Sequence, residues 1–382
     1  MSASAGSSPS ERPLRILHIL RAPLGGLFRH VIDLASGQAE HGHLVGIVAA
    51  ASPPSPADQA LLQAKPALAL GVTRLPMSRH IGKSDISAVQ AISALATNLN
   101  CDVLHGHGAK GGAYARLARA PQALRVYTPH GGSLHYTRRS PVGLMYLALE
   151  QVLIRRTGLF LFESAYGRET FHERIGDTSG HSRVVHNGVT PAEFEPVAAS
   201  PDATDLLFIG ELRALKGIDI LIDAMKILAN GGQALTLTVV GHGPDETALR
   251  SHAANAGVAD RIHFAGAQPA RMAFARGRLL VVSSRAESLP YIVLEAAAAA
   301  VPLLATRVGG IGEIYGPDAP ALVTPGSPEA LAAAITSALA DPDALSARTE
   351  RLRERVRTHF STATMVEQVL AAYRSASAGR ST

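Results

Sequence analysis

From Arg15 onward, short apolar runs alternate with segments whose apolar residues recur every three to four positions. The run 15–20 predicts a buried strand, and Val31, Ile32, Leu34 and Ala35 fall at the spacing of a helix over 28–40. A second apolar run covers 44–50. Strand, Gly25-Gly26 turn, helix and strand make a βαβ unit, which predicts a parallel sheet. The alternation continues with strands over 102–105, 124–127 and 159–162 and helices over 86–99, 141–154 and 165–175. A stretch rich in Pro, Ala and Ser between Glu195 and Thr204 reads as a linker. Beyond it, strands are predicted over 205–209, 235–240, 262–265, 279–282 and 303–306. Helices are predicted over 218–229, 292–300, 328–339 and 344–358. The pattern therefore predicts an α/β chain of two Rossmann-like domains with parallel sheets, 14–195 and 204–358, followed by a tail over 359–382. Residues 1–13 are Ser-rich, lack the apolar core of a signal peptide and read as a disordered leader.

Composition narrows the class. A chain of 382 residues with 47% hydrophobic and 18% charged residues can fill two cores. The single cysteine, Cys101, excludes an intramolecular disulfide and a Cys-rich metal site, and fits a reducing compartment. No charge-free apolar run reaches 18 residues, so no transmembrane helix is predicted. The net charge of +5 is uneven: residues 1–200 hold 19 Lys+Arg against 13 Asp+Glu, and residues 201–382 hold 17 against 18. A basic first half suits phosphates, on nucleic acid or on anionic lipid. Without Trp or a basic run interleaved with aromatics, nucleic acid is disfavoured as a partner. The helix over 141–154 carries only Glu150 as a charge and is flanked by Arg138-Arg139 and Arg155-Arg156. Too short to span a bilayer, it reads as a core helix or as one lying on a membrane surface.

Candidate chemistry concentrates around one helix start. Glu287 precedes the helix that follows Pro290, and Glu295 lies about one turn inside it. A helix N-terminus offers unbonded N–H groups to a phosphate, while an ionised carboxylate only accepts hydrogen bonds and so matches a diol. Diol and phosphate together describe a nucleotide-sugar. Arg213 and Lys216 share a strand-to-helix loop where cations can hold a diphosphate. The Gly241-His242-Gly243-Pro244 turn fails as a dinucleotide fingerprint, because Glu246 takes the third glycine position. His130 follows a predicted strand at its carboxyl end, where open parallel sheets bind ligands. His105 and His107 read either as ligand-facing groups or as loop and cap residues. Three histidines invite a metal, but their spacing fits no common zinc pattern.

Glu287 and Glu295, with seven residues between them, resemble the E-x7-E motif of retaining glycosyltransferases of the GT-B class, group 1 (family 4). The Gly210-x-Leu212…Lys216-Gly217 loop, the Asn187-Gly188-Val189 turn, the GHGP turn and Gly309-Gly310…Glu313 resemble further segments of that family, so the likeness covers nearly the whole chain from Arg15. It implies a GT-B fold whose two domains face a central cleft, with the final helix returning to the first domain. It also implies roles. Glu287 orients the donor sugar, Glu295 holds the ribose, His130 stands beside the sugar and the leaving phosphate, and Lys216 grips the diphosphate. Gly25, Gly26, Gly241, Leu289, Tyr291 and Ile292 bind the donor, and Lys110 and His107 meet the acceptor. Two positions depart from the pattern: Pro290 stands where many members have Gly, and Glu211 where Arg is common, so Arg213 is expected to substitute.

The resemblance further implies a UDP- or GDP-linked sugar as substrate, no metal or other cofactor, and a glycan or lipid-linked acceptor of surface or exopolysaccharide synthesis. The expected location is cytoplasmic, at the inner face of the membrane, with peripheral contact through the basic first domain. A nucleotide-sugar epimerase on the same fold and a non-catalytic nucleotide-sugar-binding subunit are the rival readings.

Overall fold

The computed structural model describes residues 12–22, 25–51, 67–78, 81–131, 140–178 and 180–379. The leader up to residue 11 and the Arg138-Arg139 pair lie outside the described residues. Two compact units emerge. Unit 1 holds the chain up to Phe162, Phe171–Arg183 and the chain from Val366 on; unit 2 holds Glu163–Thr170 and Val184–Met365. Residues 163–170 and 184–195, placed in the first domain by sequence, thus group with the second.

Unit 1 contains β1 (Arg15–Leu20), α1 (Gly25–Glu40), β2 (Leu44–Ala50), β3 (Gly71–Leu75), α2 (Lys83–Asn98), β4 (Val103–His107), α3 (Gly108–Leu117), β5 (Leu124–Thr128), α4 (Pro141–Ile154) and β6 (Leu159–Phe162). Its sheet runs β3-β2-β1-β4-β5-β6 and ends on β7 (Ser182–Val184). The pairs β1–β2, β1–β4, β2–β3, β4–β5 and β5–β6 are parallel. Strand order reverses between β1 and β4, and at such a switch point the loops leave in opposite directions and open a crevice. One side of the sheet packs on α1 through Val31 and Ala35, the other on α2 and α3 through Ala88, Ile92 and Ala115. The α3 glycines are packing devices. A Cβ on Gly111 would lie 2.3 Å from the Ile19 carbonyl oxygen, and one on Gly112 would lie 2.2 Å from the Tyr127 ring.

Helix α4 buries a charged residue beside Leu147 and Leu153 and leaves several apolar side chains outside. Its one charged residue, Glu150, faces inward and meets Arg116 Nη2 at 2.8 Å. Val142, Leu144, Met145 and Val152 point outward. Arg116 also lies over the Tyr127 ring at 3.9 Å, and Tyr127 donates to Glu150 at 2.8 Å. The helix is therefore neither a plain core helix nor one with a charged outer face.

Unit 2 contains β8 (Thr204–Ile209), α6 (Ile218–Asn230), β9 (Leu237–Val240), α7 (Glu246–Ala256), β10 (Ile262–Gly266), β11 (Gly277–Val282), α8 (Tyr291–Ala298), β12 (Leu303–Ala305), α9 (Ile311–Tyr315), α10 (Pro328–Ala340) and α11 (Pro342–His359). Its sheet runs β10-β9-β8-β11-β12, with neighbours parallel and the order reversing between β8 and β11. Apolar clusters cover both faces, one around α8 and α11 and the other around α6 and α10. Helix α5 (Ala165–Arg174) begins in this unit, where Glu313 accepts from the Ala165 and Tyr166 N–H groups at 2.9 and 3.0 Å. Glu313 is thus a helix cap that also takes His186 Nε2 at 2.9 Å.

Two predicted boundaries move, one in each unit. α1 starts at Gly25, so Gly25 and Gly26 form its first turn instead of a preceding loop; Gly25 sits at φ +62°, and a Cβ there would meet open space. α8 starts at Tyr291, and Pro290 is an extended cap residue (φ −74°, ψ 124°).

Candidate functional site

The loops after β8 and β11 lie at the unit 2 switch point and carry Arg213, Lys216 and Glu287. Lys216 and Glu287 come together: Lys216 Nζ is 2.7 Å from Glu287 Oε1, which also accepts from Ser284 Oγ at 2.6 Å. Lys216 keeps 26% of its side chain exposed and Glu287 9%. The carboxylate is largely withdrawn from water, and the ammonium still reaches solvent. Gly217 makes the approach of the two loops achievable. It lies at φ +64°, and a Cβ would stand 2.1 Å from the Ser283 carbonyl oxygen.

Arg213 is not brought to this pair. Its guanidinium turns to Glu211 at 3.5 Å, both half-exposed. The arginine that braces the loop is Arg285, which binds Asp219 through both nitrogens at 2.7 and 2.6 Å and the Ala214 carbonyl at 2.7 Å. Burial works against ionised Asp219, but the Arg285 guanidinium outweighs it and holds the carboxyl below its usual range. No spacing rule marks Arg285; the signal was its place in the stretch ending in E-x7-E.

Beyond Glu287 the chain is pinned before α8 begins. Ser288 donates to Glu163 at 2.7 Å, and Asn187 donates to the Leu289 carbonyl at 3.0 Å. Leu289 and Tyr291 are buried, Ile292 and Glu295 partly so. Gly241 lies at the end of β9, where a Cβ would overlap the Gly210 carbonyl oxygen at 1.8 Å, so the glycine serves the meeting of two strand ends. Glu287, Lys216 and the first turn of α8 thus share one end of the unit 2 sheet.

In unit 1 the switch point carries histidines. His107 ends β4 and caps α3, and its Nδ1 lies 3.1 Å from His130 Nε2. His107 Nε2 lies 3.0 Å from His18 Nδ1, and His18 Nε2 lies 2.8 Å from Gln38 Oε1. His105 pairs with the Tyr373 hydroxyl at 2.7 Å and with Thr128 at 2.8 Å. The His30 ring meets His130 edge-on at 4.7 Å between centroids. Burial drives these rings toward neutrality: His18 falls to about 4 and His130 to about 3, while His105 and His107 fall well below their usual value, first by burial and then by the other rings. Ring nitrogens of His18, His105 and His107, and of His30, His107 and His130, lie within 4.8 Å of one another, a convergence that sequence spacing does not reveal. The sequence pattern marks neither His18 nor His30 among these rings, nor Gln38, although Gln38 falls on the apolar stripe of Val31, Leu34 and Ala35.

Lys110 is engaged elsewhere. Its ammonium binds Asp85 at 2.7 Å and the Ser78 carbonyl at 2.9 Å. Although burial opposes it, the Lys110 and Tyr114 hydrogen bonds hold Asp85 below the usual carboxylate range. Beside this pair, Ile86, Val89, Leu117, Tyr146 and Leu153 line an apolar groove of about 670 Å³, with Arg119 and Arg156 also on its walls.

Residues 24–193 match the family model Glycosyltransferase Family 4, and residues 203–341 match Glycosyl transferases group 1. Among curated relatives, glycogen synthase of Mycobacterium tuberculosis is 25% identical over 93% of this chain and 92% of its own. D-inositol 3-phosphate glycosyltransferase of Segniliparus rotundus is 31% identical over 51% of this chain and 47% of its own. Sucrose-phosphate synthase of Thermosynechococcus elongatus superimposes with a TM-score of 0.81 at 21% identity, covering 96% of this chain and 100% of that one. Anabaena HepE in complex with UDP-glucose gives 0.76 at 18% identity, covering 95% and 100%. The fold is GT-B, and the chain belongs to the group 1, family 4 glycosyltransferases. Among the described residues no helix is long and apolar enough to cross a membrane.

Proposed function

We propose that this glycosyltransferase moves a sugar, with retention at the anomeric carbon, from a UDP- or GDP-linked donor to a hydroxyl of a glycan or lipid-linked acceptor in surface-polysaccharide synthesis. The observation that carries the reading is the Lys216–Glu287 pair at the β8/β11 switch point, beside the first turn of α8. Lys216 and the α8 N–H groups stabilise negative charge on the leaving diphosphate, and Glu287 orients the sugar. In the resting pair each charge satisfies the other, and the donor takes over part of both partners. Glu295 holds the ribose. A phosphate oxygen of the donor takes the acceptor proton on the attacked face, so the chain itself needs neither a nucleophile nor a metal. That HepE binds UDP and UDP-glucose supports a nucleotide-sugar donor.

Unit 1 takes the acceptor. The outward apolar residues of α4, the adjoining groove and exposed Arg155 and Arg156 support peripheral contact with anionic lipid at the cytoplasmic face. Lys110 contributes to the groove wall through its pair with Asp85. The test is calorimetric titration with UDP, GDP, ADP and dTDP in EDTA. Binding of one nucleotide names the base and supports a metal-independent site, whereas folded protein that binds none of them removes the donor reading. Incubation with donor alone, followed by analysis for an epimer, separates transfer from epimerisation. Binding with neither transfer nor hydrolysis would identify a non-catalytic subunit.

A further inference from the structure

We propose that the groove between α2, α3 and α4 takes one acyl chain of an anionic membrane phospholipid, whose phosphate is held by Arg119 and Arg156. The proposal rests on the membrane contact argued above and names what that contact recognises.

Each of the three helices gives the groove one apolar stripe. Ile86 and Val89 stand on α2, Ala113 and Leu117 on α3, and Leu149 and Leu153 on α4. Residues three or four apart share a helix face, so the groove follows the helix axes. The 10 residues of α3 rise about 15 Å. That is half of the ~30 Å hydrocarbon core of a bilayer, and so about the reach of one leaflet's chains. The groove volume of about 670 Å³ is in the range of a site for one small ligand. A peptide helix is about 10–12 Å across with its side chains, and the same length of it would fill more than ~1,000 Å³. A single hydrocarbon chain therefore matches the space better than a helix does.

Charge separates the two ends. Both acids on the walls are already neutralised, Asp85 by Lys110 at 2.7 Å and Glu150 by Arg116 at 2.8 Å. Arg119 follows the C-terminus of α3, and Arg156 that of α4. Both arginines line the groove and are exposed, and neither forms an ion pair among the described residues. An otherwise apolar groove thus carries two unbalanced positive charges at one end. A phosphate joined to a hydrocarbon chain is the complement, because guanidinium binds phosphate through paired N–H groups while the chain leaves water. Val142, Met145 and Val152 carry the apolar surface of α4 outside the groove. A bilayer would cover them together with the groove, whereas a dissolved amphiphile would leave them in water. The helices follow parallel strands, so the arginines sit at the edge of the sheet opposite His107, which ends β4. A lipid phosphate held there is far from the carboxyl ends of the strands, so this lipid anchors the chain and is not the sugar acceptor.

The test uses the full chain and two probes. Calorimetry with dodecyl phosphate, below its micelle concentration, should show one bound equivalent. Inorganic phosphate and dodecyl maltoside should bind at least about tenfold more weakly. Flotation should show the protein on vesicles of equal parts phosphatidylcholine and phosphatidylglycerol, and much less on phosphatidylcholine alone. Arg119→Gln with Arg156→Gln should weaken both interactions about tenfold or more. Ala113→Phe fills the groove and keeps both arginines, and it should do the same. If that variant fails to fold, Leu117→Asp places a charge in the groove from an exposed position. Wild-type protein that ignores dodecyl phosphate overturns the proposal. So does vesicle binding that Ala113→Phe and Leu117→Asp leave intact, although membrane contact then stands. Dodecyl phosphate binding without vesicle binding assigns a dissolved amphiphile and overturns the phospholipid and the membrane contact together. Self-association that Ala113→Phe abolishes, with no lipid bound, assigns the groove to a second copy of the chain and overturns it as well.

Discussion

The two sheets reverse strand order in the same way, yet their switch points hold opposite chemistry. Between β1 and β4 of unit 1 stand histidines whose burial favours the neutral form, bonded ring to ring. Between β8 and β11 of unit 2 stand full charges: Lys216 on Glu287, and Arg285 on Asp219. The ion pairs differ likewise. Arg116–Glu150 of unit 1 is sealed at 0% and 5% exposure, while Arg285–Asp219 keeps 36% and 35%. One topology thus supplies a crevice and leaves its electrostatics to the residues placed there.

The largest effect should come from the sealed pair. Glu150→Ala leaves Arg116 buried without its carboxylate and should lower unfolding free energy by about 3–5 kcal/mol, read as a fall in the denaturation midpoint. A loss below 1 kcal/mol would mean that water reaches the arginine, and the contrast between the units would weaken. Next, Lys216→Ala should lower turnover by about 10²–10³-fold while leaving acceptor affinity nearly unchanged. Equal turnover would remove Lys216 from the diphosphate site.

Acid should act on unit 1 first. The histidines have folded values below their unfolded ones, so between about pH 6.5 and 4 the unfolded chain binds more protons. Stability is then complete above the unfolded value and falls on acidification, by about 1.4 kcal/mol per ring and pH unit. Thermal melts from pH 7 to 5 measure this, and His18→Phe should flatten the slope. A flat wild-type profile would show that the rings are already charged or solvated. Smallest is Asp219→Asn: a pair this exposed should contribute about 1 kcal/mol or less to stability. A larger loss would show that Arg285 supports the Lys216 loop as strongly as a buried pair would.

Much of this contrast was legible in the sequence, though unevenly. Period-two and period-3.6 patterns depend on local geometry, so β1, α4 and β6 fall on their predicted residues. The charged crevice was half visible, because Lys216 and Glu287 sit in motifs. Their meeting was not, since it joins residues 71 positions apart. Arg213 looked like the loop's working cation, and only the packed structure shows it turned to Glu211 while Arg285 braces the loop. The histidine cluster was the least visible part. A lone His18 inside an apolar strand, or a lone Gln38 on an apolar helix stripe, carries no signal until folding brings the two 2.8 Å apart.

Unit 1 is completed by residues that follow the whole of unit 2 along the chain. Tyr373, which bonds His105, and Val366, whose side chain fills the space beside Gly37, leave the ribosome only after all of unit 2. At ordinary synthesis rates that delay is roughly ten to forty seconds. Throughout it, the nascent first sheet holds its polar centre without its final partners, and unit 2 is free to fold ahead of it. Order of synthesis and order of completion therefore run opposite ways in this enzyme, and a chain clipped before Val366 would leave unit 1 without the residues that close it.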